Sequence, residues 1–243
     1  LKRLVSCVSD MLNTSEYCGL DWKKLMKGDI IIVEAHHYQV AEQIVNSLIA
    51  SIKKIGRGYS ISVAGESGSG KSETAKAIAE ILEANDVGTV ILQQDDYFIY
   101  PPKSNDAKRR QDISWVGPKE VKIDLLNSNI TAFCKGATSI DKPLINYTLN
   151  NVKTECIDVS DAKVVIVEGT YTTLLDDVDT RIFIARNFNE TREHRQKRNR
   201  AASELDHFTE QVLKIEHKII STHCAHADII INSDYSIFQN AQD

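Results

Sequence analysis

The chain has 243 residues, 42% of them hydrophobic and 26% charged, with a formal net charge of −5. This composition is that of a globular protein with one large α/β domain and an extension, and its acidic balance argues against a general nucleic-acid binder. No apolar run approaches the roughly 20 residues that cross a bilayer. Five scattered cysteines do not indicate a disulfide framework. We therefore expect a cytoplasmic protein that binds neither nucleic acid nor membrane. Assembly into a homo-oligomer is an open alternative.

Residues 1–56 are predicted to form an N-terminal extension with a strand and a helix, separate from a main domain at 57–243. The β-branched run Ile30-Ile31-Ile32-Val33 is typical of a strand. His36-His37 follows it and is predicted to be a surface turn. From Tyr38 to Ile55 apolar residues recur at helical spacing, which predicts a helix.

Beyond the extension, predicted strands alternate with predicted helices. The strands are Tyr59–Ala64, Val87–Gln93, Lys163–Val167, Thr180–Ile184 and Ala227–Ile231, and the helices are Ser72–Ala84, Leu125–Phe133 and Phe208–Thr222. The basic stretch Asp106–Gln111 is predicted to be a mobile loop. Alternating strands and helices indicate an α/β fold with a parallel sheet covered on both faces. In such sheets a ligand binds at the carboxyl ends of the strands.

A complete phosphate-binding loop, Gly65-Glu66-Ser67-Gly68-Ser69-Gly70-Lys71-Ser72, lies between the first of these strands and a helix. Its glycines let successive backbone N–H groups surround phosphate oxygens, and the positive end of the helix points at the same anion. Lys71 supplies a charge for the β- and γ-phosphates, and the Ser72 hydroxyl can hold Mg²⁺. We therefore expect ATP, or another nucleoside triphosphate, to bind at this loop and at the adjacent Glu73. A chance glycine-rich turn is a poor alternative in this setting.

Two acidic strand ends indicate what happens to the triphosphate. Asp95 follows the next predicted strand, where a carboxylate can accept a proton from a hydroxyl that attacks the γ-phosphate. Glu168 follows a later strand and can complement Mg²⁺ at Ser72. The alternatives are that Asp95-Asp96 only caps its strand and that Glu168-Gly169 is a plain turn. Because the Asn-Lys-x-Asp tetrad of GTPases is missing from the sequence, a small-molecule kinase is favoured.

The segment around residues 186–200 is rich in arginine. Arg192, Arg195 and Arg198 recur every three residues and share roughly one helical face. Such a face can close over a triphosphate as a lid and neutralise charge on the transferring group. A solvated helix face is the main alternative, and a nucleic-acid patch fits less well with an acidic chain. We expect Arg192 and Arg195 to take part in catalysis.

These motifs together resemble the uridine kinase and phosphoribulokinase family, and uridine kinases in particular, over roughly residues 60–233. The segments that carry the resemblance are Gly65–Ser72, Gln94–Phe98, Pro143–Tyr147, Val167–Gly169, Thr191–Arg195 and Ala227–Ile231. The resemblance implies a nucleoside-kinase-like P-loop fold, ATP and Mg²⁺ as cofactors, and the 5′-hydroxyl of uridine or a related nucleoside as acceptor. It also implies that Asp95 is the catalytic aspartate and that Tyr147 belongs to the substrate loop. Arg192 and Arg195 would contact substrate and triphosphate.

The acceptor side departs from the family pattern. Uridine kinases carry an Asn-aromatic-Asp-His-Pro-like motif whose aspartate holds the ribose, and alignment on Pro118 puts Val116 at that position. The ribose contact is therefore expected to be lost or moved to Asp112. Trp115 is either a stacking ring for a base or a core anchor. The alternatives are a kinase of a sugar phosphate, glycerate, pantothenate or nicotinamide riboside, and a nucleotide-binding regulatory protein without catalysis.

Overall fold

The computed structural model describes residues 31–191 and 207–239. The helices of this part are α1 (Ala35–Lys54), α2 (Lys71–Glu83), α3 (Pro102–Gln111), α4 (Ile123–Cys134) and α5 (His207–Ile220). The strands are β1 (Tyr59–Gly65), β2 (Thr89–Gln93), β3 (Ser139–Asn146), β4 (Asn151–Asp158), β5 (Val164–Gly169), β6 (Thr180–Ile184), β7 (Ile229–Ile231) and β8 (Ile237–Gln239). Each described helix is too short or too polar to cross a membrane.

Six strands form one sheet in the order β2-β5-β1-β6-β7-β8. β1 pairs in parallel with β5 and β6, while β2 pairs in parallel with β5 and β7 with β6. β8 runs antiparallel to β7 at one edge and was not predicted. The carboxyl ends of the parallel strands therefore lie along one side of the sheet, where α/β proteins bind their ligands. The predicted α/β class with a mainly parallel sheet is confirmed.

Side chains alternate between the two faces along each strand, and apolar side chains lie on both faces of this sheet. Helices therefore cover both faces. In β5, Val164 and Ile166 belong to the apolar cluster that contains α1 and α2, whereas Val165 and Val167 belong to the cluster that contains α4 and α5. All four side chains are fully buried. Burial on both faces explains why this strand is a continuous apolar run in the sequence.

Helix α1 packs against α2 and is part of the core. Ile44 and Ile52 are fully buried, and each contributes about 2–3 kcal/mol of hydrophobic stabilisation. The described part of the extension is thus held by the same apolar cluster as the sheet. The boundary at residue 56 remains a prediction about domain organisation.

Two local predictions in this region are wrong. Residues 31–33 form no strand in the described structure, because a β-branched run becomes a strand only where another strand pairs with it. His36 and His37 lie in the first turn of α1 and not in a surface turn, and the His37 side chain is buried. The helix begins before its first strongly apolar residue, so periodicity placed its start too late.

The segments between β2 and β5 also differ from prediction. The expected loop Asp106–Gln111 is the second half of α3, which begins with Pro102 at a position where helices tolerate proline. That helix has almost no apolar residues, so it carries no periodic signal. β3 and β4 form a separate antiparallel hairpin that was not predicted as strands. Its second strand alternates between exposed and half-buried residues, which is a weak signal in the sequence.

Candidate active site

The phosphate-binding loop joins β1 to α2, and its shape requires glycine. Gly68 and Gly70 have φ angles of 77° and 98°, in the left-handed region that other residues disfavour. A Cβ at Gly65 would lie 2.7 Å from Ser69 Oγ and 3.0 Å from the Ile184 carbonyl oxygen. Ser69 N donates to the Glu66 carbonyl oxygen at 3.1 Å, which closes the loop. The backbone is therefore curled as an anion-binding loop needs.

The loop lies next to the acidic end of β5. Lys71 Nζ donates to the Glu66 carbonyl oxygen at 2.9 Å. Ser72 Oγ donates to Glu168 Oε1 at 3.0 Å, and Gln93 Nε2 donates to the same oxygen at 3.3 Å. The structure thus brings together the predicted metal residues Ser72 and Glu168, with the end of β2 beside them.

The Glu168 carboxyl group has an unusual environment. Burial, followed by the charge of Asp95, raises its pKa to about 7, although Lys71 and the Ser72 hydroxyl act in the opposite direction. A serine hydroxyl with a buried carboxylate is an oxygen donor set that suits Mg²⁺, and a cation there would favour the ionised form of Glu168. The residues therefore fit the predicted metal site, which remains a prediction.

Asp95 and Asp96 have different surroundings within the short helical turn Gln94–Tyr97. Asp96 is buried, and its carboxylate accepts from Lys142 Nζ at 2.5 Å and from Ile145 N at 3.1 Å. Asp96 therefore attaches the hairpin to this turn. Asp95 is exposed on the same turn. Asp96 therefore has a structural role, whereas Asp95 remains the candidate catalytic base.

The predicted acceptor residue Asp112 has a local role. Its carboxylate accepts from Ser114 N at 3.0 Å, and hydrogen bonds from the Ser114 side chain and then from its backbone lower the pKa of Asp112. Val116 is buried, and its apolar side chain cannot bind a ribose hydroxyl. Tyr147 lies after β3 at the tip of the hairpin and is 41% exposed.

Trp115 is half-buried and lies beside α3. Its Nε1 donates to Asn105 Oδ1 at 2.9 Å, and its ring centroid is 5.8 Å from that of Tyr100. The hydrogen bond fixes the indole against the protein, as expected for an anchor. The residue is partly exposed, and stacking with a substrate stays a prediction.

A buried ionic network on the acceptor side was missed by sequence reasoning. Arg109 donates from Nε and Nη2 to the Glu120 carboxylate at 2.6 and 3.1 Å, and from Nη2 to Glu216 at 3.2 Å. Asn105 Nδ2 and Gly117 N also donate to Glu120, at 2.5 and 2.7 Å. The network joins α3 to α5. Arg109 stands between two other basic residues, Lys108 and Arg110, in the sequence, so only the fold identifies it.

This network lies close to the phosphate-binding loop. Burial raises the pKa of Glu216, and Arg109 is the largest influence in the opposite direction. The charges of Lys71 and Asp95 also act on the Glu216 carboxyl group, the first lowering and the second raising its pKa. Helix α5 therefore carries a buried carboxylate to the edge of the candidate site.

Glu66 connects the loop to the start of the predicted lid segment and to helix α5. Its carboxylate interacts with His217 Nδ1 at 2.6 Å and accepts from Phe188 N at 2.6 Å. Thr191 Oγ1 donates to the Ser67 carbonyl oxygen at 3.1 Å. The side chain of Glu66 is therefore engaged with the protein. The predicted lid residues Arg192 and Arg195 lie outside the described residues.

A mainly parallel sheet with this loop after an inner strand, and with carboxylates at the carboxyl ends of β2 and β5 on one side of it, defines a P-loop phosphotransferase. Residues 60–233 match the family model described as "Phosphoribulokinase / Uridine kinase family". The chain therefore belongs to this family, and the resemblance inferred from the motifs is confirmed.

Individual relatives agree on kinases and differ in acceptor. The chain is 28% identical over 191 residues to the bifunctional alpha-galactosidase/sucrose kinase of Mediterraneibacter gnavus, covering 74% of this chain and 20% of that protein. It is 30% identical over 184 residues to the uridine kinase of Anoxybacillus flavithermus, covering 70% and 84%. It spans 59% and 60% of the length of the uridine kinases of Ureaplasma urealyticum and Ureaplasma parvum. The D-glycerate 3-kinase structure from Cryptococcus neoformans has a TM-score of 0.56 at 11% identity, covering 85% of this chain and 100% of that one. This last likeness shows the fold alone.

Proposed function

We propose that the chain is a kinase that transfers the γ-phosphate of ATP to a hydroxyl group of a small molecule. The observation that carries this proposal is the hydrogen bond between Ser72 of the phosphate-binding loop and Glu168, with Asp95 near enough to raise the pKa of Glu168. Loop, metal-type oxygen donors and a candidate base thus meet at the carboxyl edge of the sheet. Family membership supports the same reaction class.

In this reaction Asp95 accepts the proton of the acceptor hydroxyl while the hydroxyl oxygen bonds to the γ-phosphorus. The bond between the γ-phosphorus and the β–γ bridging oxygen breaks, and ADP leaves. Lys71 balances negative charge on the phosphates, and Arg192 and Arg195 are proposed to do so from the lid. Mg²⁺, held at Ser72 with Glu168 in reach, supplies further charge neutralisation when bound.

The acceptor is the finer part of the proposal. Uridine, at its 5′-hydroxyl, is the first candidate because of the resemblance to uridine kinases. A sugar is the second candidate, because the ribose-binding position is occupied by the buried Val116 and because one relative is named a sucrose kinase. The other proposed acceptors, glycerate among them, have no such support from this chain.

A coupled assay of ADP release tests both the reaction class and the identity of the acceptor. The protein is incubated with ATP and Mg²⁺ and, one at a time, with uridine, cytidine, sucrose, fructose, D-glycerate, pantothenate and nicotinamide riboside. Release without an acceptor is the background. Stimulation by uridine or cytidine supports the nucleoside assignment, and stimulation by a sugar alone supports the second candidate. If no acceptor stimulates release, a regulatory nucleotide-binding protein becomes the better explanation.

A further inference from the structure

The strand order indicates which end of a bound triphosphate lies toward which strands. Asp95 and Glu168 follow β2 and β5, which lie on one side of β1, and β6 and β7 lie on the other side. In the proposed reaction the γ-phosphate faces Asp95. The α-phosphate and the nucleoside therefore extend toward the carboxyl ends of β6 and β7.

An aromatic and cationic cluster occupies that end of the sheet. Arg186 follows β6, and Tyr235 lies in the connection between β7 and β8. Arg186 Nη1 donates to Tyr235 Oη at 2.6 Å, and its guanidinium carbon is 5.3 Å from the ring centroid. The His36 ring from helix α1 lies 3.9 Å from the Tyr235 ring, tilted by 41°. The three side chains thus combine flat rings with a fixed positive charge.

Two features of this cluster point to a ligand. Arg186 Nε is buried, and no described residue accepts a hydrogen bond from it. Buried guanidinium donors are normally paired, and a phosphate is a preferred partner. Tyr235 has a φ angle of 65°, a left-handed conformation that is rare for a bulky residue and is often found at ligand sites.

Helix α1 also contacts the phosphate-binding loop itself. His37 Nδ1 accepts from Glu34 N at 3.0 Å, so a neutral ring carries its proton on Nε2. A Cβ added at Gly70 would lie 3.3 Å from that Nε2. His37 therefore packs against the backbone of the residue that precedes Lys71, and its ring is 4.0 Å from the His36 ring.

We infer that helix α1 forms part of the nucleotide site, although the sequence places it in the extension. The rings of His36 and Tyr235 contact the nucleoside of a nucleoside 5′-triphosphate, Arg186 binds its α-phosphate, and His37 supports the loop. This inference rests on the proposed binding of ATP. It goes beyond that proposal by assigning nucleoside recognition to a helix outside residues 60–233, the range matched by the family model.

Isothermal titration with two ligands separates the nucleoside from the phosphates. Mg-ATP and Mg-tripolyphosphate carry the same chain of three phosphates, but only ATP has a nucleoside. For His36→Leu we expect ATP affinity to fall about tenfold, the usual effect of losing one stacked ring, and tripolyphosphate affinity to stay unchanged. Tyr235→Leu removes both a ring and the hydroxyl that holds Arg186, so ATP affinity should fall by a larger factor than tripolyphosphate affinity. Tyr235→Phe keeps the ring and removes the hydroxyl that holds Arg186, so the affinities for ATP and for tripolyphosphate should fall together and by a smaller factor.

His226→Leu is the matched control, because His226 is an exposed histidine before β7, at the opposite edge of the sheet. It should leave both affinities unchanged. Unchanged ATP affinity in His36→Leu and Tyr235→Leu, or equal losses for ATP and tripolyphosphate in His36→Leu, would overturn the inference. If the predicted pattern appears but no acceptor stimulates ADP release, the nucleotide site stands and the proposed kinase activity fails. If the unmodified protein binds neither ligand, both proposals fail.

Discussion

The phosphate-binding loop itself and the acceptor side of the candidate site are held together over different distances along the chain, although the loop also reaches Glu168 and His217 across 96 and 151 residues. On the phosphate side, Lys71 bonds to the Glu66 carbonyl, only five residues away. On the acceptor side, Lys142 pairs with Asp96 across 46 residues, and Arg109 pairs with Glu216 across 107. A short motif can therefore specify the shape of the loop, whereas the acceptor side depends throughout on contacts that only the folded chain makes. This difference explains why the donor of the phosphoryl group is easier to infer than its acceptor.

Replacing the candidate base should have the largest effect and should separate chemistry from phosphate binding. Asp95→Asn removes the proton acceptor while keeping the side-chain shape, so kcat should fall about 10²- to 10⁴-fold. The affinity for Mg-ATP should change little, because the loop is intact. Asp161→Asn, an exposed aspartate before β5 at the opposite edge of the sheet, is the control. Full turnover in Asp95→Asn would remove this residue from the mechanism.

Breaking the buried network around Arg109 should lower the free energy of unfolding more than the loss of a surface ion pair does. Arg109→Met leaves Glu120 and Glu216 without their shared cation, and we expect a loss of about 3–5 kcal/mol in the free energy of unfolding. The neighbouring Arg110 forms an exposed pair with Asp106, and its guanidinium carbon lies 4.4 Å from the centroid of the Phe208 ring, so Arg110→Met should cost about 1–2 kcal/mol. Urea unfolding of the two variants measures the difference. Equal losses would show that the network is no more important than a surface pair.

The sequence predicted those elements whose residues show an apolar pattern. Thr180–Ile184 has the predicted bounds, and the predicted helix at 72–84 is shifted by one residue at each end. The pattern failed for α3, a polar helix, and for the hairpin β3–β4, whose second strand is largely exposed. The phosphate-binding loop and its acidic neighbour Glu168 were expected together and lie together. The partners of Arg109 could not be predicted, because they come from two segments that only the tertiary fold brings close.

The pH dependence of stability tests the environment of Glu168. The pKa of this group rises from 4.5 in the unfolded chain to about 7 in the folded protein, so between these values the folded state binds more protons. The free energy of unfolding therefore falls as the pH rises through this window, by about 3 kcal/mol in total. Glu168→Gln lacks this contribution, so it should gain stability relative to the unmodified protein as the pH rises. Chemical unfolding at several pH values without divalent cations measures this.

The exposed Glu42 on helix α1 provides the control for that series. Glu42→Gln should follow the pH dependence of the unmodified protein. A stability difference between Glu168→Gln and the unmodified protein that stays constant from pH 4.5 to 8 would contradict the raised pKa. Mg²⁺ should reduce the difference in the pH profiles, because a bound cation favours the ionised carboxylate.

The smallest expected effect concerns the tip of the hairpin, where the side chain of Asn150 joins the hairpin to α3. Asn150 has a φ angle of 48°, its Oδ1 accepts from Lys103 N at 3.0 Å, and its Nδ2 donates to Ser104 Oγ at 3.0 Å. Asn150→Gly keeps the backbone accessible and removes both bonds to α3. We expect a loss of about 1 kcal/mol in stability, because each exposed hydrogen bond contributes little. The KM for the acceptor should rise several-fold while the KM for ATP stays constant.

Asp86→Gly is the matched control for this change, because Asp86 also has a left-handed backbone, with φ 60°, but lies between α2 and β2. It removes a side chain at the same kind of position without touching the hairpin or α3. Any backbone effect of glycine should then appear in both variants, and the change in acceptor KM in Asn150→Gly alone. A parallel rise in the KM for ATP would mean that the hairpin tip also supports the phosphate side, which would weaken the distinction between the two sides of the site.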